Sequence, residues 1–270
     1  MGIDEVRAKK HLGQHFLKDK RIAAAIVDSL AADDCDAVLE IGPGTGVLTR
    51  FLAERHFPSL KIVEIDPEAA DYLDKNVSGD FEIIRGDFLK LDLRGIGNKL
   101  ALIGNFPYNI SSQIFFRILE NRDRVEEVTC MIQKEVADRI CSGPGSRTYG
   151  ILSVLLKAWY NIEYLFTVSE KVFDPPPKVR SAVIHLRRND RLRLDCDEKL
   201  FVSVVKRCFN QRRKMLRNPL KVMVPDDDGT MPYLTMRAEQ LSVEQFAELT
   251  EWIAAKRQSA GDVKADDQNE

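Results

Sequence analysis

The sequence predicts an α/β protein in which a doubly wound parallel sheet is followed by a smaller all-helical domain. Two observations lead to this fold class. Short apolar runs alternate with amphipathic segments through the first two-thirds of the chain, which is the pattern of a parallel sheet covered by helices. After the prolines at 175–177 the pattern changes, and from about Asp197 it is helical.

The predicted elements occur in the order that a doubly wound sheet requires. The apolar run Ala37–Ile41 is the first strand, and a helix over 19–30 precedes it. Further strands are predicted at 61–65, 81–84, 99–103, 128–132 and 181–187. Three further helices are predicted: one at 48–55, one that begins at 67, and one that ends at 119. Pro67 suits the first turn of its helix. Ser111 or Ser112 is the expected N-cap of the helix that ends at 119.

The domain division follows the change in pattern at the prolines. We expect an α/β domain over 1–190, a helical domain over 191–258 and a disordered polar tail over 259–270. A chain of 270 residues is long enough for one large and one small domain.

The composition excludes several classes of protein. Apolar residues make up 44% of the chain, which predicts a packed core and argues against global disorder. The five cysteines form no CxxC pair and the four histidines lie apart from them, so neither disulfides nor a metal site is predicted. No apolar run approaches ~18 residues, and the amino end lacks the apolar run of a signal peptide. We therefore expect a cytoplasmic protein without a membrane span. We also expect it to act as a monomer.

A glycine-rich loop follows the first strand. Residues 40–46 read EIGPGTG, and Gly42, Gly44 and Gly46 allow a tight turn and a close backbone approach to a ligand. A P-loop is excluded because no Gly-Lys-Ser/Thr follows, and a dinucleotide loop fits poorly because Val47 replaces the third glycine. An ordinary strand-to-helix turn remains the alternative.

Acidic residues follow the next two strands. Glu64 is the candidate acceptor for both ribose hydroxyls of an adenosine, whereas Asp66 is expected to cap a helix. Asp87 can accept a hydrogen bond from an adenine amine, and Phe88 can flank the ring; the alternative is that Asp87 is an ordinary loop carboxylate. Because the three signals converge on one crevice, and an acid after the third strand is not needed for NAD, they favour S-adenosylmethionine (SAM) as the cofactor.

The fourth strand leads into the tetrapeptide Asn105-Phe106-Pro107-Tyr108. An adenine N6 amine is a weak nucleophile because its lone pair is delocalised into the ring. The Asn105 amide oxygen and the Pro107 carbonyl are candidates to hold the N6 hydrogens, while Tyr108 stacks on a base that has left its helix. Phe173 is the candidate for a second aromatic wall; the alternative is that it is a core residue.

A strongly basic stretch lies in the predicted helical domain. The formal net charge of the chain is -2, yet residues 199–221 contain eight basic residues and no acidic residue. This asymmetry favours contact with RNA phosphates, although a solvated helix face is the alternative. The candidate RNA-binding residues are Lys206, Arg207, Arg212, Arg213, Lys214 and Arg217.

The chain resembles the KsgA/Dim family of small-subunit ribosomal RNA adenine N6,N6-dimethyltransferases. The matching stretches are residues 13–17, 40–46, 63–67, 86–88, 105–108, 173–181 and 209–218. The resemblance implies a Rossmann-like methyltransferase domain that binds SAM and dimethylates two adjacent adenines in the 3′-terminal hairpin of 16S rRNA, within an immature 30S particle. It also implies a role in small-subunit biogenesis.

The resemblance implies cofactor contacts for six residues in this chain, namely His15, Leu17, Gly42, Glu64, Asp87 and Asn105. His15 is a departure, because the family usually has asparagine at this position. Two other functions stay open: a large-subunit (23S) rRNA adenine methyltransferase of the macrolide-resistance class, and a non-catalytic RNA-binding assembly factor.

Overall fold

The structure is a computed structural model that describes residues 6–224 and 229–266, with side chains up to 259. Its strands are β1 (Phe16–Leu17), β2 (Ala37–Ile41), β3 (Leu60–Glu64), β4 (Glu82–Arg85), β5 (Leu100–Asn105), β6 (Val125–Gln133), β7 (Tyr160–Val168), β8 (Phe173–Asp174) and β9 (Ser181–Arg188). Its helices are α1 (Lys20–Asp28), α2 (Val47–Ala53), α3 (Pro67–Asn76), α4 (Ser111–Glu120), α5 (Lys134–Cys141), α6 (Ile151–Lys157), α7 (Glu198–Asn210), α8 (Arg217–Leu220) and α9 (Val243–Asp266).

Seven strands form one sheet in the order β4-β3-β2-β5-β6-β9-β7. Strands β2 to β6 are parallel, whereas β9 runs antiparallel to both β6 and β7. The predicted doubly wound α/β class is therefore confirmed. The chain passes from β2 to β3 on one side and later returns to β5 on the other. The carboxyl ends of β2 and β5 thus form the switch point at which such sheets bind ligands.

The central strand is buried along its whole length, which explains its uninterrupted apolar sequence. All five residues of β2 are buried, including the one acid among them, Glu40. One face of the sheet is covered by α1 and α2, which pack against each other through side chains such as Ile26 and Leu48. This core fixes the start of α2 directly behind the glycine loop.

Helix starts agree with the sequence in one case and differ in another. Asp66 caps α3 as predicted, because its side chain accepts a hydrogen bond from the Glu68 amide at 3.1 Å and Pro67 follows as the first helical residue. The predicted serine cap of α4 is wrong. Ser111 is itself the first helical residue, and its hydroxyl instead donates to the Tyr108 carbonyl at 3.4 Å.

The chain divides into two compact units. The first contains the described residues up to Asp138 together with Tyr160–Asn189, and the second contains Arg139–Trp159 and the residues from Asp190 onward. We expected residues 139–159 in the first domain. They belong to the second because their aromatic side chains pack on its helices: Trp159 lies 6.2 Å from Phe201, between ring centroids.

The carboxyl-terminal prediction also differs from the structure. Helix α9 continues to Asp266, whereas the sequence predicts a disordered tail from residue 259. The final four residues, 267–270, lie outside the described residues. Within the described ranges, no helix combines the length and apolar character needed to cross a bilayer.

Candidate active site

A cavity with about 870 Å³ of empty space, part of which is open solvent, lies at the carboxyl ends of β2, β3, β4 and β5. Five stretches of the first unit line it: residues 12–17, 41–48 (except 46), 63–65, 86–88 and 105–110 (except 109). The sequence predicts that the signals behind successive strands converge, and the structure brings them together here.

The glycine loop needs glycine for its backbone and for space. Gly42, Gly44 and Gly46 have φ angles of 67°, 57° and 77°, in the left-handed region. A Cβ on Gly44 would come within 2.8 Å of the Phe16 ring. The loop is therefore shaped by close packing against the N-terminal residues, and it directs the Gly44 amide toward Glu64.

Glu64 is held by main-chain amides at the cavity wall. Its carboxylate accepts from the Asp66 amide at 2.8 Å and from the Gly44 amide at 3.2 Å. The residue is 3% exposed, and this burial raises the pKa of Glu64 above its usual value. A carboxylate that is fixed in this way, and still lines the cavity, suits the acceptance of two vicinal hydroxyls.

Asp87 has both a local structural contact and access to the cavity. One of its carboxylate oxygens accepts from the Leu89 amide at 2.9 Å, at the start of a short 3₁₀ turn. Asp87 and the buried Phe88 both line the cavity. The carboxylate and the ring thus lie where an adenine amine and its ring face can meet them.

Asn105 presents a buried oxygen that has no partner. Its Nδ2 donates to the His15 carbonyl at 2.9 Å, which fixes the orientation of the amide. Its Oδ1 is buried and accepts no hydrogen bond from any described residue. Leaving a buried acceptor unsatisfied costs about 1–3 kcal/mol. The site is therefore suited to a ligand that brings an N–H donor.

Pro107 and Tyr108 complete the polar end of the cavity. The Pro107 carbonyl accepts from the Ile110 amide at 3.2 Å, and a carbonyl oxygen has a second lone pair for another donor. The Tyr108 hydroxyl is hydrogen-bonded to Ser181, and burial raises the pKa of Tyr108, so its ring stays a neutral phenol. Tyr108 can therefore offer a neutral aromatic face to a base.

Phe173 is not a cavity wall in this structure. Its side chain is 1% exposed and belongs to the hydrophobic core, which corrects the prediction of a second aromatic wall and agrees with the alternative. The reason is its backbone pairing with Leu17, which ties β8 to β1. Leu17 does line the cavity, as predicted for a cofactor contact.

The aromatic neighbour of Tyr108 is His15. The two ring centroids are 5.4 Å apart, and the rings are tilted by 31°. The Nδ1 atom of His15 lies 2.7 Å from the Pro175 carbonyl, which can only accept, so this nitrogen carries the proton and donates it. The imidazole thus links the N-terminal residues to the proline loop, a contact that the sequence does not reveal.

A family model described as "Ribosomal RNA adenine dimethylase" matches residues 5–255. The chain belongs to this family. A curated relative from Parabacteroides distasonis, "Ribosomal RNA small subunit methyltransferase A", is 57% identical over 96% of this chain and 98% of its own length. The relative of the same name from Cytophaga hutchinsonii is 52% identical over 94% of this chain and 100% of its own length.

Two solved structures share the fold. One is a dimethyladenosine transferase from Plasmodium falciparum, with a TM-score of 0.75, 23% identity, and coverage of 90% of this chain and 98% of the other. The second is the 23S rRNA methyltransferase ErmE, with a TM-score of 0.68, 28% identity, and coverage of 88% of this chain and 99% of the other. The first of these likenesses concerns the fold alone.

In this member of the rRNA adenine dimethylase family, the six predicted RNA-binding residues form two groups. Arg207 donates to the Pro219 carbonyl at 2.7 Å, and Arg212 pairs with Glu239 at 2.9 Å. These two side chains are held by contacts inside the second unit, and their binding to RNA stays a prediction. The other four are exposed: Lys206, Arg213, Lys214 and Arg217.

Two further features of the site escape the sequence patterns. Glu40 is fully buried beneath the glycine loop, accepts from the Thr49 hydroxyl at 2.6 Å, and has a second oxygen without a partner among the described residues. Burial raises the pKa of Glu40 to about 8. In addition, Lys9 and Gln14 both contact the Asp66 carboxylate, at 2.7 and 3.2 Å. Gln14 lies in a matching family stretch, but the sequence does not predict the contact of either residue with Asp66.

Proposed function

We propose that this chain transfers methyl groups from SAM to the N6 amines of two adjacent adenines in the 3′-terminal hairpin of 16S rRNA. Membership of the rRNA adenine dimethylase family supports the reaction. The name of relatives that are more than half identical, small subunit methyltransferase A, supports the substrate. The observation that carries the proposal is the buried, unpartnered Oδ1 of Asn105 at the cavity wall.

The base site is proposed at Asn105, Pro107 and Tyr108. The Asn105 amide oxygen and the second lone pair of the Pro107 carbonyl accept the two N6 hydrogens, and the Tyr108 ring stacks on the base. Gripping both hydrogens favours a pyramidal N6 whose lone pair is no longer delocalised into the ring, which makes it available as a nucleophile. Each methyl transfer replaces one N6 hydrogen, which leaves as a proton.

The cofactor site is proposed along the rest of the cavity. When bound, SAM supplies an electrophilic methyl group on a sulfonium centre. Glu64 accepts the ribose hydroxyls, while Asp87 and Phe88 hold the adenine amine and ring. Gly42 contacts the methionine part of SAM. His15 and Leu17 from the N-terminal segment, together with Asn105, complete the set of cofactor contacts. The donor and acceptor set of the cavity fits this group.

The RNA surface is proposed at the four exposed basic residues of the second unit, Lys206, Arg213, Lys214 and Arg217. Such contacts supply affinity and salt dependence, but little sequence choice. We propose that selection comes from the folded RNA of an immature 30S particle and from the ease with which its adenines unstack. In this proposal the enzyme acts as a cytoplasmic monomer and uses no metal.

Two rival functions make different predictions. A 23S rRNA methyltransferase is disfavoured because the relatives that are 52–57% identical carry small-subunit names, whereas ErmE is 28% identical. A non-catalytic assembly factor is disfavoured because Glu64, Asp87 and Asn105 all line the cavity. One methylation assay distinguishes both rival functions from the proposed one.

The test uses purified protein, SAM labelled on its methyl group, and either immature small subunits or 23S rRNA. We expect label to enter 16S rRNA and not 23S rRNA, and Asn105→Ala to abolish the transfer. Asn98→Ala is the matched control, because Asn98 is exposed in the loop before β5 and lies outside the cavity. Wild-type turnover by Asn105→Ala would refute the mechanism, and labelling of 23S rRNA alone would refute the substrate.

A further inference from the structure

We propose that Lys9 and Gln14 are positioning residues for the cofactor cavity. Through the Asp66 side chain they hold the N-terminal wall of the cavity in place and fix the Glu64 carboxylate beside it. The inference rests on the proposed function, because it takes this cavity as the SAM site. The sequence patterns do not predict the contact of either residue with Asp66.

The N-terminal segment, residues 9–17, has little regular structure of its own. It contains one 3₁₀ turn, Lys10–Leu12, and the two-residue strand β1. Yet residues 12–17 form one wall of the cavity. Main-chain pairing of β1 with β8 anchors only the end of the segment. The position of its first half therefore depends on side-chain contacts.

Lys9 and Gln14 supply two of those contacts at a single carboxylate, and the Asn109 side chain supplies another by donating to the His11 carbonyl at 3.3 Å. Lys9 Nζ lies 2.7 Å from one oxygen of Asp66, and Gln14 Nε2 donates to the other at 3.2 Å. Gln14 Oε1 also accepts from the Lys9 amide at 2.8 Å, so the three residues form a closed ring. A second, more exposed ion pair joins Lys9 to Glu68 at 3.3 Å.

The Asp66 carboxylate depends on these two partners. Its side chain is fully buried, and an ionised carboxylate in such a place is strongly unfavourable unless it is paired. Burial alone would raise the pKa of Asp66, but the hydrogen bonds from Lys9, Gln14 and the Glu68 amide, together with the charge of Lys9, outweigh burial and hold the pKa below its usual value. Removing Lys9 leaves this carboxylate without its closest cation.

The contact reaches the cofactor site through the main chain. The Asp66 amide donates to Glu64 Oε1 at 2.8 Å, so the backbone that carries the Asp66 side chain also orients the proposed ribose acceptor. The negative charge of Asp66 also raises the pKa of Glu64. This effect is smaller than that of burial, and the amide hydrogen bonds to Glu64 act in the opposite direction. Loss of Lys9 is therefore expected to loosen the cavity wall and to disturb Glu64 at the same time.

The experiment measures SAM binding to the purified full chain by calorimetry, without RNA. Lys9→Met and Gln14→Ala are each expected to raise the Kd for SAM about fivefold or more, the lower end of typical coupling between linked sites. Lys9→Arg keeps the cation and is expected to bind close to wild type. Lys10→Met is the matched control, because this neighbouring lysine is exposed and lines no part of the cavity.

Steady-state kinetics separate positioning from a general loss of structure. With Lys9→Met, we expect the KM for SAM to rise while kcat and the KM for RNA stay unchanged. Wild-type SAM affinity in both Lys9→Met and Gln14→Ala would overturn the inference, and so would an equal loss in Lys10→Met. A wild-type protein that binds no SAM would instead refute the proposed function on which the inference rests.

Discussion

Glu40→Gln provides a stability test of the buried layer beneath the glycine loop. Glu40 is fully buried, and burial raises its pKa from 4.5 to about 8, so the folded protein keeps this carboxyl neutral at pH 7. The unfolded chain ionises the same group above about pH 4.5. Between these two values, rising pH therefore favours the unfolded state.

The magnitude follows from the size of the shift. Each pH unit between about 4.5 and 8 lowers the free energy of unfolding by about 1.4 kcal/mol through Glu40. At pH 7 this amounts to about 3 kcal/mol, as an order of magnitude. Glutamine has the same shape and does not ionise, so Glu40→Gln is expected to remove this pH dependence.

The assay is urea unfolding of wild type and Glu40→Gln at several pH values from 5 to 8. We expect the difference in unfolding free energy between the two to grow with pH. Thr49→Val removes the hydroxyl that donates to Glu40 but keeps the carboxyl, so it should retain the pH dependence. A difference that does not change with pH would show that Glu40 is ionised in the folded protein, contrary to our reasoning.

Three further predictions concern the cavity and the basic surface. Tyr108→Ala is expected to lower kcat/KM for RNA by one to two orders of magnitude, since base stacking contributes about 1–3 kcal/mol, whereas Tyr108→Phe keeps the ring and most of the rate; equal losses in the two would argue against stacking. Gly44→Ala is expected to weaken SAM binding in calorimetry, because its φ of 57° and the Phe16 ring at 2.8 Å leave no room for a Cβ; unchanged affinity would contradict the described loop. Lys214→Gln is expected to reduce the slope of log K for RNA binding against log salt concentration by about 0.7–0.9, and an unchanged slope would remove Lys214 from the RNA surface. Arg207→Gln should instead lower the melting temperature, since Arg207 donates to a main-chain carbonyl.

Most of the cavity lining can be predicted from the sequence because each signal lies at the carboxyl end of a strand of the parallel sheet. The apolar run Ala37–Ile41 is a strand with the bounds predicted, and Glu64 and Asp87 come behind the next two strands. Parallel strands bring their carboxyl ends to one edge, so residues far apart in sequence meet there without further information. The cap at Asp66 is predictable for a different reason, since it is decided by local hydrogen bonding within one turn.

The features that escape prediction depend on contacts between distant segments. The sequence does not predict strand β7. It places residues 139–159 in the first domain, because local periodicity does not reveal their packing on α7. Phe173 is buried by its pairing with β1. The hydrogen bond between His15 and Pro175, and that of Arg207 to Pro219, likewise join residues that no spacing rule connects.

The most direct test of the central claim is mass spectrometry of the 3′-terminal fragment of 16S rRNA from cells with and without this protein. We expect two adjacent dimethylated adenines when the wild-type protein is present. We expect both adenines to be unmodified when it is absent, or when only Asn105→Ala is supplied. Full dimethylation in cells that lack the protein would contradict the account.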